Sequence, residues 1–333
     1  MAMISMLAVP ADRSAAAFAP GFGQRVLLTV DTEEEFDWNG PFRRDGHGLS
    51  HVEAIPRFQA FCESLGVAPV YLVDWPIVQD ARAVEIIGDA VRRGAAEVGV
   101  QLHPWVNPPF EENISEHNSF AGNLPAPLEA AKFMALRDMI EVAFGNAPLI
   151  YRAGRYGLGR HTADLLKAAG IRIDTSVRTL FDYTPKGGPD YSHHPLAPYW
   201  MDGARQLLEL PVTSVYTGPL RRFGPLLHRA QRHIPTFFSG FSRLGLLERI
   251  ALTPEGLSAD EALRGITVAV ESGLPVLVLS FHSPSLAPGH TPYAKTPAAV
   301  EALYHWFEVV YADLAKRGVR PTSVAEIIAA TGE

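Results

Sequence analysis

Short, almost wholly apolar runs alternate with longer amphipathic stretches along most of this chain. Residues 25–31 (RVLLTVD), 68–73, 97–103, 149–152, 171–175 and 275–282 have the length and the apolar character of strands covered on both faces. Between them, residues 51–65, 78–94, 128–144, 160–170 and 297–316 place apolar side chains at helical spacing. Ser50 stands where it would cap the first of these helices, and Gly170 where it would stop the fourth. Strand and helix in this rhythm predict parallel βαβ units. The stretch 181–248 breaks the rhythm with Pro, Gly, His and Arg, as in RRFGPLLHRAQRHIP at 221–235. It reads as an insertion of about 181–250, a hairpin plus helices over the mouth of a barrel. The predicted organisation is an N-terminal extension, 1–24, followed by a single α/β-barrel domain over 25–330.

The polar residues sit at particular places in this pattern. Asp31, Asp74, His103, Arg152 and His282 each end an apolar run. In parallel α/β folds the carboxyl ends of the strands are where reacting groups collect. One such residue means little, but five on separate strands point to a site.

Composition narrows the class. At 333 residues, 47% apolar and 20% charged, the chain belongs with globular proteins and is long enough for a barrel with insertions. A net charge of -7 argues against nucleic acid or an anionic membrane as the main partner. No run reaches the roughly 18–20 apolar residues of a membrane span. The first twenty residues lack a basic start and are broken by Pro10, Asp12 and Arg13, so no secretory leader is expected and a cytoplasmic location is. The lone Cys62, among Phe58, Phe61 and Leu65, reads as a buried, inert thiol.

Four segments carry candidate chemistry. In LTVDTE, Asp31 and Glu33 are two apart, so an extended backbone points both into one site. Paired carboxylates suit holding a cation and taking a proton. A solvated acidic loop has the same composition, and Glu34 and Glu35 read as solvated. In EVGVQLHPW, Gln101 and His103 share a face, and Trp105 is placed to stack on a sugar ring. In YRAGRYG, a buried Arg152 needs a carboxylate, for which Asp31 is the candidate, while Gly154 and Gly157 permit positive φ or close approach. In LSFHSPSL, an apolar strand delivers His282, a general acid near neutral pH. Ser283 lacks the GxSxG elbow of a serine hydrolase. Asp74 either lines the site or caps a turn, and His193, His194 and His290 read as surface or insertion residues.

These four segments, in this order, resemble the motifs of the polysaccharide deacetylase (NodB-homology) family over roughly residues 25–327. The resemblance implies an irregular (β/α)7-8 barrel and hydrolytic removal of acetyl groups from an N-acetylated carbohydrate. It implies Asp31 as general base held by Arg152, His282 as the acid protonating the leaving amine, and the Tyr156 N–H as an oxyanion donor. Glu33, His103 and Gln101 would hold a divalent metal, zinc first, with cobalt, nickel or manganese as others. Asp74, Trp105 and Tyr156 would contact substrate. Two positions depart from the family pattern: Glu33 rather than an adjacent aspartate supplies the second acid, and Gln101 stands where a histidine is usual. An amide oxygen is a weaker ligand than imidazole for late metals. That keeps open a non-catalytic carbohydrate-binding or regulatory relic, and a hydrolase of another small C–N amide.

Overall fold

The seven-residue ladder at the centre of the molecule follows from two apolar runs of matching length. β1 (Arg25–Thr32) is buried from its second residue onward, and the chain reads on through α1 (Ile55–Ser64), β2 (Val70–Val73), α2 (Trp75–Gln79), α3 (Ala81–Arg92) and β3 (Glu97–Leu102). It continues as α4 (Ala126–Phe144), β4 (Ile150–Ala153), α5 (Thr162–Ala168), β5 (Ile173–Asp174), β6 (Tyr199–Trp200), β7 (Leu208–Glu209), β8 (Ser214–Thr217) and β9 (Glu248–Ala251). The last part is α6 (Ala259–Glu271), β10 (Val276–His282), α7 (Pro297–Lys316), β11 (Arg320–Pro321) and α8 (Val324–Thr331). This is a computed structural model, and it describes residues 6–10, 14–224, 227 and 244–332.

The main sheet runs β10-β1-β2-β3-β4-β5-β7-β6, parallel except for β6, with β11 also against β1. Curling round, it makes an irregular α/β barrel. The two ends meet without a ladder. Thr213 N–H donates to Val278 O at 3.2 Å, Leu252 N–H to Thr213 O at 3.0 Å, and Ser280 N–H to Leu252 O at 3.2 Å. Helices pack outside the strands, and Phe58, Phe281 and Phe307 form an aromatic knot between α1, β10 and α7, with Cys62 buried beside it. Residues of the N-terminal extension lie along the barrel: Ala15 bridges Tyr199, and Ala19 N–H donates to Ala330 O at 2.7 Å. No helix among the described residues is long and apolar enough to cross a membrane.

Three local expectations need correction. The helix expected over 78–94 is two helices, because Asp80 is extended and its carboxylate caps α3 through Ala83 N–H at 2.7 Å. Ser50 caps nothing: its hydroxyl donates to Glu35 Oε1 at 2.8 Å instead. The stretch read as an insertion supplies β6 and β7 to the main sheet, and only β8 and β9 pair apart from it. Two-residue strands are too short to show a period in sequence. The rest of that stretch, 225–226 and 228–243, lies outside the described residues.

Candidate functional site

Register brings the chemistry together. Asp31 lies directly across the ladder from His282, and Gln101 across from Arg152. Asp31, Glu33, Gln101, His103, Trp105, Arg152, Tyr156 and His282 all line one cavity of about 1000 Å³ at the carboxyl ends of the strands. Asp74 does not, and the substrate contact expected of it is corrected: it is fully buried, with one oxygen on Ile77 N–H as the cap of α2 and the other on Glu34 N–H.

Arg152 is buried on β4 and saturated. Its guanidinium donates to Asp31 Oδ1, to Ser280 Oγ at 2.8 Å, to Thr29 Oγ1 at 2.8 Å and to the Thr175 carbonyl at 3.0 Å. The pair is therefore held by β1, β4, β10 and the residue after β5, and the carboxylate is held in one orientation. Asp31 Oδ2 is left toward His282, whose Nε2 lies 3.8 Å away.

His282 has its own anchor, one the sequence did not disclose. Glu255, in the loop after β9, accepts from His282 Nδ1 at 2.7 Å, from the His282 backbone N–H at 3.2 Å and from Ser285 Oγ at 2.5 Å. Burial pulls the His282 pKa down, but the charges of Glu255, Glu33 and Asp31 outweigh it and lift the ring to about 10. The ring is thus a cation through the neutral range. Changing Glu255 to Gln removes the largest of the opposing charges, so the pKa falls while Glu33 and Asp31 still oppose burial. The alkaline limb of any reaction that needs protonated His282 should move to lower pH by more than one unit, read from kcat/KM against pH.

His103 is arranged the other way. Burial, against the pull of Asp74 and Asp31, lowers its pKa to about 4, so the ring is neutral. Nδ1–H donates to Glu34 Oε2 at 3.0 Å, with Asp74 Oδ2 at 3.6 Å, and this fixes the tautomer. Glu34 Oε1 accepts from Trp105 Nε1 at 2.7 Å, so one carboxylate clamps two rings stacked 4.3 Å apart. Glu34, expected to be solvated, is buried. The strand ends at Thr32, and beyond it the alternation that would turn Glu34 outward no longer holds. Glu35 is not free in water either: it accepts from His51 Nδ1 at 3.0 Å and lies 3.3 Å from His290, while His51 Nε2 meets Ser283 Oγ at 2.9 Å. His290, 28% exposed, reaches this cluster from the surface, and His194, within the 181–250 stretch, is buried against Tyr199 Oη.

The Nε2 face of His103 meets Glu33 Oε2 at 3.4 Å. Both are acceptors, and burial lifts the Glu33 carboxyl well above the ordinary range. The Gln101 amide nitrogen lies 3.0 Å from Glu33 and 3.2 Å from His103. Glu33 Oε1 and Gln101 Oε1 are buried with no hydrogen-bonding partner. Two facing acceptors and two orphaned oxygens fit a divalent cation once the amide turns over, a rotation with little steric cost. Glu34, Asp74 and His103 themselves form a buried trio whose donor atoms lie within 4.8 Å of one another and can hold a metal. With Asp74 committed to two backbone N–H groups, that trio is better placed as the support behind His103.

The YRAGRYG turn brings the opposite side of the site into place. Positive φ falls on Arg155 (56°) and Tyr156 (61°) rather than on the glycines. Gly154 is needed for close approach: a Cβ there would run into the His103 ring and the Leu102 carbonyl. Tyr191 Oη donates to the Tyr156 carbonyl at 2.6 Å and holds the turn. Trp38, Phe42 and Tyr183 add aromatic surface to the cavity, with Trp38 edge-on to His282 at 4.8 Å, whereas Trp105 is buried, stacked on His103 and packed by Phe42, so the sugar stacking expected of it is corrected.

No family model and no curated protein matches the chain. Solved structures do, at low identity. An allantoinase, Puue, matches at 14% identity with a TM-score of 0.50, covering 92% of this chain and 90% of its own. A candidate polysaccharide deacetylase from Mycobacterium smegmatis matches at 16% identity and TM-score 0.49, covering 95% and 98%. A CE4 family pseudoenzyme from Bacillus anthracis matches at 11% identity and TM-score 0.44, covering 92% and 66%. The likeness is one of fold: the distorted α/β barrel with its parallel strands.

Proposed function

We propose that the chain is a hydrolase that removes an acyl group, acetyl first, from an amide nitrogen on a carbohydrate. The observation that supports this most strongly is the pairing on the cavity floor. A carboxylate fixed by Arg152 and an imidazolium fixed by Glu255 meet at 3.8 Å beneath an aromatic wall. Asp31 takes a proton from the attacking water, and Arg152 keeps the carboxylate aimed at it. His282 gives its proton to the leaving amine, and Glu255 holds the ring through Nδ1. The Tyr156 N–H, in its left-handed turn, offers a donor to the oxygen on which charge develops. Glu33, His103 and a turned-over Gln101 would hold a divalent cation, zinc by preference. It would supply polarisation of the acyl carbonyl and a lower pKa for water. Trp38, Phe42 and Tyr183 suit the apolar face of a sugar.

The test is acetate release from a panel of N-acetylated sugars and oligosaccharides, with metals counted per chain before and after zinc, cobalt, nickel and manganese are supplied. The expected result is turnover with close to one metal per wild-type chain, and little metal in a Glu33→Ala/His103→Ala protein. One observation favours a second reading. As placed, the Gln101 nitrogen occupies the space between Glu33 and His103 that a cation would fill. A site that stays empty when metal is offered, with glycan binding that survives chelator and Asp31→Asn, would mark a non-catalytic carbohydrate-binding barrel instead.

A further inference from the structure

Arg178 lines the cavity and has no use in the chemistry above. It follows β5 on the run that bridges to Val212. Its guanidinium lies 4.0 Å from the ring centre of Phe181 and 5.4 Å from that of Tyr156, and this stacking leaves the planar fork little freedom. Besides the main cavity it lines a recess of about 70 Å³ shared with Tyr156, Thr253, Ser280, His282 and Glu255, whose carboxylate is already taken up by His282 and Ser285.

The other arginines of the cavity are matched. Arg152 pairs with Asp31, and Arg155 with Glu116. Lys186 is exposed and needs only water. Among the described residues no carboxylate comes within ion-pair distance of Arg178, and its Nε is buried without an acceptor. Residues 225–243 contain no Asp or Glu, so that stretch brings no counter-charge. Arg178 is partly exposed and lies beside the Tyr183 phenol, and a fork held flat by two rings is preorganised for a two-oxygen acceptor. The recess beside it is the size of a small planar group and lies next to His282.

We propose that Arg178 receives a carboxylate carried by the substrate, so that the preferred substrate is an acylated acidic sugar rather than a neutral one. This rests on the hydrolase reading of the same cavity.

The experiment compares an N-acetylated amino sugar with its uronic acid counterpart, in which the primary hydroxyl carbon is oxidised to carboxylate. Wild-type protein should favour the acid in kcat/KM by about 10- to 100-fold, the range for hydrogen bonds to a charged group. Arg178→Met and Arg178→Gln should each collapse that ratio toward one. In parallel, calorimetry on Asp31→Asn protein should show the uronate binding about 10- to 100-fold more weakly once Arg178→Met is added. Hydrolysis of the neutral sugar with no preference for the acid, or a preference untouched by both variants, overturns the carboxylate site and leaves the hydrolase standing. Arg178-dependent uronate binding without hydrolysis of either compound keeps the carboxylate site and overturns the hydrolase. No uronate binding to the Asp31→Asn protein overturns the carboxylate site.

Discussion

Asp31→Asn should lower kcat by about 10²- to 10⁴-fold, the usual worth of a positioned acid or base, and should also lower thermal stability, because the buried Arg152 guanidinium is left with neutral acceptors only. Asn keeps the shape of the side chain and an oxygen to accept from Arg152, so the β1–β10 register and the four-way anchoring of the guanidinium survive. The ability to take a proton and the charge opposite Arg152 are lost. The check is single-substrate kinetics alongside a melting curve. Activity within threefold of wild type would place the base elsewhere, with Glu33 the first alternative. A fall in melting temperature with kcat unchanged would show that the charge on Asp31 serves the fold and not the reaction.

Arg152→Met should cost about 3–5 kcal/mol of stability, because it strands a buried carboxylate whose partner is gone. It also abandons the Ser280 and Thr29 hydroxyls and the Thr175 carbonyl. Combining it with Asp31→Asn removes the stranded charge. The double variant should therefore be more stable than Arg152→Met alone, a coupling that urea titration can resolve. Additive losses would mean that Arg152 stabilises by its packing and neutral hydrogen bonds, and that the ion pair contributes little.

Much of this site could be read along the chain because two strands obey simple parity. Asp31 with Glu33 and Gln101 with His103 are i, i+2 pairs, and each pair does face the cavity. His282 and Arg152 end apolar runs, and the parallel ladder carries them to the same edge. The missed residues lie where parity and periodicity fail. Glu34 follows the end of β1. Glu255 sits in a loop far from any motif and meets His282 only through the crossover from β9 to β10. Arg178 is one more polar residue after a strand of two. His51 and Ser283 touch across 232 positions, a contact that no local pattern signals.

The way the barrel closes has a mechanical consequence. On one flank β10, β1, β2, β3 and β4 are joined by continuous parallel ladders, and Asp31, His103, Arg152 and His282 all ride on them. On the other flank the ends meet through single hydrogen bonds at Thr213 and Leu252. Local opening is easier where fewer hydrogen bonds must break together. The ladder side, which carries Asp31, Arg152 and His282, is thus held more firmly than the seam at Thr213 and Leu252, where local opening would begin.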